Sequence, residues 1–219
     1  MKIIKLRPSY PTDQVAEHLV ACARRDEDAA IQAVGPAAVY RAPQALLLAH
    51  QQLTDDGIRL TGRPHYVNLD KGDAELTAIE LAIRSVPAAE DARPPQGERL
   101  RTIPAQANVR VTATELADLV RAGEPPVVQA AGVEATYAAI RALALAQNEL
   151  TADGLAIAAG PHFVWTEIDG EECAAFRLAV TAWPETAQAA PAPDAEPVQP
   201  AIPFPAVAPT PEGSDKIIK

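Results

Sequence analysis

IQAVGPAAVY at residues 31–40 and VQAAGVEATY at residues 128–137 are two copies of one phrase, and the predicted fold follows from this repetition. Each copy begins as an apolar strand and continues as a helix, with a glycine between them. A chain that passes directly from strand to helix needs unusual dihedral angles, which glycine tolerates. Pro36 suits the first helical turn, where its missing N–H has no partner to lose. The phrase therefore predicts a strand–glycine–helix junction that the chain makes twice.

The duplication extends far beyond this phrase. A shift of 97 residues aligns residues 2–87 with residues 99–184 without a gap and gives 26 identities in 86 pairs. Because the alignment never slips, every loop has the same length in both halves, which is typical of two copies of one small domain. We expect a first repeat at residues 1–87, a polar linker at residues 88–98 and a second repeat at residues 99–184.

Residues 185–219 differ in composition from both repeats. They are rich in proline and alanine and follow neither a helical nor a strand period. Such a segment buries too little apolar area to offset its ordering entropy, so we expect a disordered Pro/Ala-rich tail. Its last four residues, KIIK, repeat residues 2–5. The match is either chance or a short docking strand for a sheet edge.

Each repeat has the pattern strand, helix, strand, helix, strand, strand, so the predicted fold class is α/β (α+β), with two tandem βαβαββ domains. Thr112 and Glu115 have capping-box spacing at the first helix of the second repeat. Pro43 predicts a kink or an early stop in the second helix of the first repeat. Asp169 and Gly170 predict a hairpin turn before the last strand.

The second helices predict how the two repeats are arranged. Residues 137–150 are apolar around nearly the whole helix, and such a helix is buried on more than one side. One side covers its own sheet, so we expect the other side to contact the other repeat in an intramolecular pseudo-dimer. The candidate interface residues are Tyr40, Leu46, Leu48, Tyr137, Ile140, Leu143 and Leu145.

Composition excludes several classes of protein. No stretch approaches the ~18 apolar residues of a membrane span, and the N-terminus does not resemble a signal peptide, so no membrane partner is expected. Cys22 and Cys173 do not occupy equivalent positions, which favours reduced thiols and a cytoplasmic location. The formal net charge is −10, and it is −1 over residues 1–87 and −4 over residues 99–184. Proteins that coat nucleic-acid duplexes usually have a basic surface instead.

Motifs of enzyme chemistry are missing from the sequence. His65 and His162 recur at equivalent places, but no HExxH or CxxC spacing accompanies them, so a loop or strand-start histidine is the better interpretation. IDGEE at residues 168–172 is better explained as an acidic hairpin turn than as a catalytic carboxylate pair. No phosphate-binding loop, nucleophile elbow or catalytic triad is present. We predict a protein that is not an enzyme, with no catalytic residue, no metal site and no cofactor.

With this order of elements, the chain resembles the stage V sporulation protein S family, whose small domain has an Alba-like fold. The resemblance rests on IQAVG, on TDDGI at residues 54–58, on the strand after Pro64 and on IDGEE. It covers about 170 of the 219 residues, in a family that is generally single-domain. The resemblance implies domains that pair through their sheets and second helices, and a protein that binds nucleic acid and acts in sporulation or cell-division regulation.

Several cations of the family are replaced in this chain, at Ser9, Gln44, His50, Gln106 and Gln147. Because phosphate neutralisation supplies most non-specific affinity, these replacements predict weak binding. The candidate nucleic-acid-binding residues that remain, most of them in the first repeat, are Lys5, Arg7, Arg41, Arg59, Arg63 and Arg141. The expected partner is RNA or DNA, bound weakly by the first repeat.

Two functions from different classes stay open. In the first, the chain is a nucleic-acid-associated regulator. In the second, it is an assembly or adaptor protein that has lost nucleic-acid binding and acts through protein partners or self-association, using a sheet edge and the C-terminal tail. The resemblance favours the first function, whereas the lost cations and the acidic second repeat favour the second.

Overall fold

The computed structural model describes residues 1–70, 75–88, 97, 99–168 and 170–183. The first repeat consists of β1 (Lys2–Leu6), α1 (Thr12–Arg24), β2 (Ala29–Ala33), α2 (Pro36–Leu53), β3 (Ile58–Asp70) and β4 (Glu75–Pro87). The second consists of β5 (Leu100–Thr102), α3 (Val109–Arg121), β6 (Val127–Ala131), α4 (Gly132–Thr151), β7 (Ile157–Ile168) and β8 (Glu171–Ala182). The predicted βαβαββ order is confirmed in both halves. The predicted tail and most of the predicted linker lie outside the described residues.

The strands of both repeats form one eight-stranded sheet, in the order β1-β2-β4-β3-β7-β8-β6-β5. Within each repeat the first two strands are parallel and the other pairs are antiparallel. The halves join where β3 runs antiparallel to β7, with Gly62 opposite Ala159. Residues 1–184 are accordingly one compact unit. The predicted intramolecular pairing of the repeats is therefore confirmed.

The junction that opens each second helix adopts the backbone that its glycine predicts. Gly35 and Gly132 have φ angles of 79° and 78°. A Cβ at either position would meet no atom within 4 Å. It is therefore the left-handed backbone, and not crowding, that requires glycine here. The predicted hairpin is also present, because Ile168 and Glu171 pair across it and Gly170 has a φ of 84°, while Asp169 lies outside the described residues.

One expectation about the helices is wrong, and one of two alternatives for another is excluded. The predicted capping box at Thr112 lies inside α3, because the helix begins three residues earlier, after Asn108. The Asn108 side chain accepts hydrogen bonds from the backbone N–H groups of Arg110 and Val111 and caps the helix. Pro43 does not stop α2 early, since the helix continues to Leu53. The Pro43 ring is fully buried, and this packing outweighs the loss of one helical hydrogen bond.

A single hydrophobic core runs through both repeats, and α2 packs against α4. Of the candidate interface residues, Leu46, Ile140 and Leu143 are at most 3% exposed. Tyr40, Leu48, Tyr137 and Leu145 are partly buried and pack against this core. No helix in the described part of the chain is both long and apolar enough to cross a membrane.

A small cavity of about 20 Å³ marks the centre of the pairing. Five residues of the first repeat line it, and the other five lining residues are their counterparts 97 positions later. The lining pairs are Pro43 and Ile140, Leu46 and Leu143, Gly62 and Ala159, Pro64 and Pro161, and Leu81 and Leu178. The cavity therefore lies on the pseudo-two-fold axis that relates the repeats.

Candidate nucleic-acid interface

The six candidate cations lie in different environments. Lys5 and Arg7 are exposed, one in β1 and the other just after it. Arg41 is half-buried and donates hydrogen bonds to the backbone oxygen of Tyr10 at 3.3 Å and to Oγ1 of Thr12 at 3.1 Å. Arg41 therefore holds the entry to α1 against α2.

The remaining three candidates, also half-buried, contact the opposite repeat. The Nη2 atom of Arg59 lies 3.3 Å from Nε2 of His162. The guanidinium of Arg63 lies 5.1 Å from the centre of the Trp183 ring, with Arg84 over the same ring at 4.7 Å. These two contacts use arginine to connect the first repeat to the second.

Arg141 makes the corresponding connection from the second repeat to the first. Its Nε donates to the hydroxyl of Tyr66 at 3.4 Å, and its guanidinium lies 5.4 Å from the centre of the Tyr137 ring. Four of the six candidates thus have partners within the protein. Lys5 and Arg7 are the two that the structure leaves exposed.

The two equivalent histidines lie within strands and not at strand starts, and they contact different partners. His65 Nε2 lies 3.1 Å from Glu80 Oε1, and Gln32 donates to Glu80 Oε2 at 2.6 Å. The hydrogen bond from His65 is the main cause that holds the pKa of the Glu80 carboxyl below its ordinary value. Among the described residues, no group of three or more His, Cys, Asp or Glu side chains is placed to hold a metal ion.

A cleft of about 730 Å³ opens beside the join of the repeats, and we call it the aromatic cleft. From the first repeat it is lined by Tyr40, Gln44, His50 and Arg59, among others. From the second repeat it is lined by His162, Phe163 and Phe176, among others. Both halves of the chain are therefore needed to form it.

Aromatic rings form a continuous series along the cleft. Tyr40 and Phe176 have ring centres 5.4 Å apart, and Phe176 and Phe163 have centres 6.4 Å apart. Trp165 continues the series at 6.0 Å from Phe163. Phe163 is 49% exposed and Trp165 is 67% exposed, which is unusual for such large apolar rings.

Sequence reasoning missed this series of rings. The available signal was PHFVW at residues 161–165, where strand alternation places Phe163 and Trp165 on one face of β7. In a chain with only 4% aromatic residues, two adjacent rings on one strand face are notable. Their assembly with Tyr40 depends on the pairing of the repeats, which no local pattern contains.

The two histidines of the cleft are neutral at pH 7. Burial lowers the pKa of His50 to about 4, and its Nε2 accepts a hydrogen bond from the backbone N–H of Leu60 at 2.9 Å. Burial, followed by the positive charge of Arg59, lowers the pKa of His162 to about 4 as well. Arg59 therefore carries the positive charge among these lining groups.

The pseudo-symmetric position in the other half is filled by the protein itself. Arg141 is the counterpart of Gln44, and its guanidinium stacks over Tyr137, the counterpart of Tyr40. It also bonds to Tyr66, the counterpart of Phe163. The chain therefore places a planar group of its own at the position that is open on the Gln44 side.

The chain matches a known protein family. The family model described as stage V sporulation protein S matches residues 2–86 and residues 100–183. Each matched segment spans one βαβαββ unit, and together they cover well over half of the chain. No curated protein matches the chain.

Proposed function

Because the chain belongs to the stage V sporulation protein S family, we propose that it is a non-enzymatic, nucleic-acid-associated regulatory protein that acts in sporulation or in the control of cell division and development. The match of the family to both halves is the observation that carries this proposal. The cleft supports it further, because its lining combines aromatic rings, amides and a guanidinium, which are the groups that contact nucleic acids.

The phosphate contact falls on the first repeat. Lys5 and Arg7 are exposed at one end of the sheet, where β1 is the outermost described strand. Two cations give a modest affinity that depends on salt. Each phosphate that a cation neutralises adds about 1 to the steepness of a plot of log binding constant against log salt concentration. The net charge of −10 opposes binding further at low salt. We therefore expect weak binding of RNA or DNA, with dissociation constants in the micromolar range or above.

A salt titration of the full chain tests this function. Labelled single-stranded and double-stranded RNA and DNA are titrated by fluorescence anisotropy between about 20 and 200 mM salt. Replacing Lys5 and Arg7 together by alanine is expected to weaken binding and to reduce the salt slope by about 2. Arg110→Ala, which removes an exposed cation from the second repeat, is the matched control and leaves the slope unchanged. Absence of binding at about 20 mM salt and 100 μM protein would refute the proposal.

A protein-assembly role is the second candidate function. It is favoured by the internal partners of Arg41, Arg59, Arg63 and Arg141, which withdraw these cations from phosphates. The sheet also ends in β1 and β5, and an end strand presents unpaired N–H and C=O groups to a partner strand. In this function the chain acts as an adaptor between protein partners.

Sedimentation and pull-down experiments test the assembly role. The full chain is expected to self-associate with increasing concentration or to capture a protein partner, and deletion of residues 216–219 is expected to change one of these properties. A chain that stays monomeric, captures nothing and is unaffected by the deletion would remove this second candidate.

A further inference from the structure

The aromatic cleft has the dimensions and surface of a ligand site. Its volume of about 730 Å³ falls within the range of roughly 300–1,000 Å³ that is typical of such sites. Phe163 and Trp165 present their rings to solvent beside it. Nucleic-acid bases stack on exposed aromatic rings whatever their identity, because every base has a π face.

The polar lining of the cleft matches the edges of bases better than it matches phosphates. Gln44, Gln51, His50 and His162 contribute amides and neutral imidazoles, which both donate and accept hydrogen bonds. Among the described lining residues there is no Asp or Glu, and Arg59 is the one cation. Its guanidinium contacts the neutral ring of His162, so a single positive charge lines the described part of the cleft.

The pseudo-symmetry of the chain shows what kind of group fits this position. In the other half the Arg141 guanidinium, which is flat and delocalised, stacks over Tyr137 and bonds to Tyr66. Arginine planes and bases stack on aromatic rings in the same way. Gln44 has no such group to place over Tyr40, and the cleft on this side leaves space for a planar partner.

We propose that the aromatic cleft binds one or two unpaired bases of single-stranded nucleic acid by stacking and by hydrogen bonds to their edges. This inference rests on the nucleic-acid association proposed above and assigns it a second contact that is independent of Lys5 and Arg7. It predicts a preference for single strands over duplexes, because paired bases cannot enter the cleft.

Two substitutions in the full chain test the cleft, with labelled oligo(A) and oligo(U) of about eight nucleotides, as RNA and as DNA. Phe163→Ala removes the exposed ring and is expected to weaken binding about ten-fold. Gln44→Arg copies the second repeat and is expected to weaken binding at least five-fold, because the new guanidinium occupies the cleft. If phosphate attraction governed binding, the same added charge would strengthen it. Val111→Ala, at a side chain that is 53% exposed on α3, is the matched control.

A second measurement separates this inference from the proposed function. Adenosine and uridine, which carry no phosphate, are titrated at millimolar concentration while the ring resonances of Phe163 and Trp165 are followed by NMR. The resonances are expected to shift in the wild-type chain and to stay unchanged in Gln44→Arg, with thermal melts confirming that both variants fold. Shifts with nucleosides but no oligonucleotide binding would support the cleft and refute the proposed function. Oligonucleotide binding that is unchanged by Phe163→Ala, or strengthened by Gln44→Arg, would overturn the cleft and leave the proposed function standing.

Discussion

Replacing His50 by glutamine is expected to reduce the stability that the fold loses when the pH falls from about 7.5 to about 5. His50 Nε2 accepts a hydrogen bond from the Leu60 N–H, and its counterpart Gln147 accepts one from the Ile157 N–H through Oε1 at 2.8 Å. The two repeats thus satisfy the same backbone group with different side chains. His50→Gln therefore keeps the hydrogen bond and removes a group that titrates.

The size of the effect follows from the lowered pKa values. The pKa of His50 falls from 6.5 to about 4, so folding favours the neutral ring. Stability from this group is fully present above pH 6.5 and is lost as the pH falls towards 4. At pH 5 the loss amounts to about 2 kcal/mol for His50. Burial and the positive charge of Arg59 also lower the pKa of His162, so this residue adds to the loss both in the wild type and in His50→Gln.

Urea unfolding between pH 7.5 and pH 5 measures this difference. Over this range the wild-type chain is expected to lose about 2 kcal/mol more stability than His50→Gln loses. His18→Gln, at an exposed position on α1, is the control and follows the wild type. An equal loss of stability in the wild type and in His50→Gln would refute the claim that His50 is buried as a neutral acceptor.

Three further substitutions probe the shared core, a buried hydroxyl and the junction glycine. Leu143 lies beside the axial cavity, and Leu143→Ala is expected to lower the free energy of unfolding by about 3–5 kcal/mol. Amide hydrogen-exchange protection is expected to fall in β2 and β6 alike, whereas a loss of protection in β6 alone would show that the repeats unfold independently. Thr61→Val is expected to raise stability by about 1 kcal/mol in urea unfolding, because Thr61 Oγ1 is buried without a hydrogen-bond partner in the described part of the chain; a loss of stability would contradict this. Gly132→Ala is expected to lower the free energy of unfolding by about 1–2 kcal/mol, since its φ of 78° disfavours a side chain, and an unchanged value would show that the junction adjusts.

The sequence allowed most of the fold to be predicted because the duplication supplies each pattern twice. The ungapped alignment of the repeats predicts loops of equal length in both halves. The helix α4 is apolar around its circumference and therefore requires a second packing partner, which is α2. Membership of the stage V sporulation protein S family, predicted from the same motifs, is confirmed. The start of α3 was misjudged because Thr112 and Glu115 match a capping pattern, while the stronger cap, Asn108, lies outside that pattern.

The candidate site was less accessible to sequence reasoning. In a sequence, an arginine that contacts solvent cannot be distinguished from one that contacts a tryptophan ring. The neighbouring residues in the sequence therefore gave no indication that Arg59, Arg63 and Arg141 have partners inside the protein. Arg59 meets His162 only because β3 lies beside β7. The aromatic cleft has the same origin, since Tyr40 and Phe176 come from different repeats. Predicting such contacts requires the relative placement of the two halves.

The two repeats are related by a pseudo-two-fold axis but have different sequences, so they can carry different residues at equivalent positions, which identical subunits cannot do. In a symmetric homodimer every substitution appears on both sides of the axis at once. Here each side has its own positions in one chain, so glutamine at position 44 corresponds to arginine at position 141, and Glu80 corresponds to Arg177. A position in one repeat can serve recognition while the equivalent position in the other repeat stabilises the protein. Fusion of the repeats thus permits a division of labour that separate copies of one chain are unable to reach.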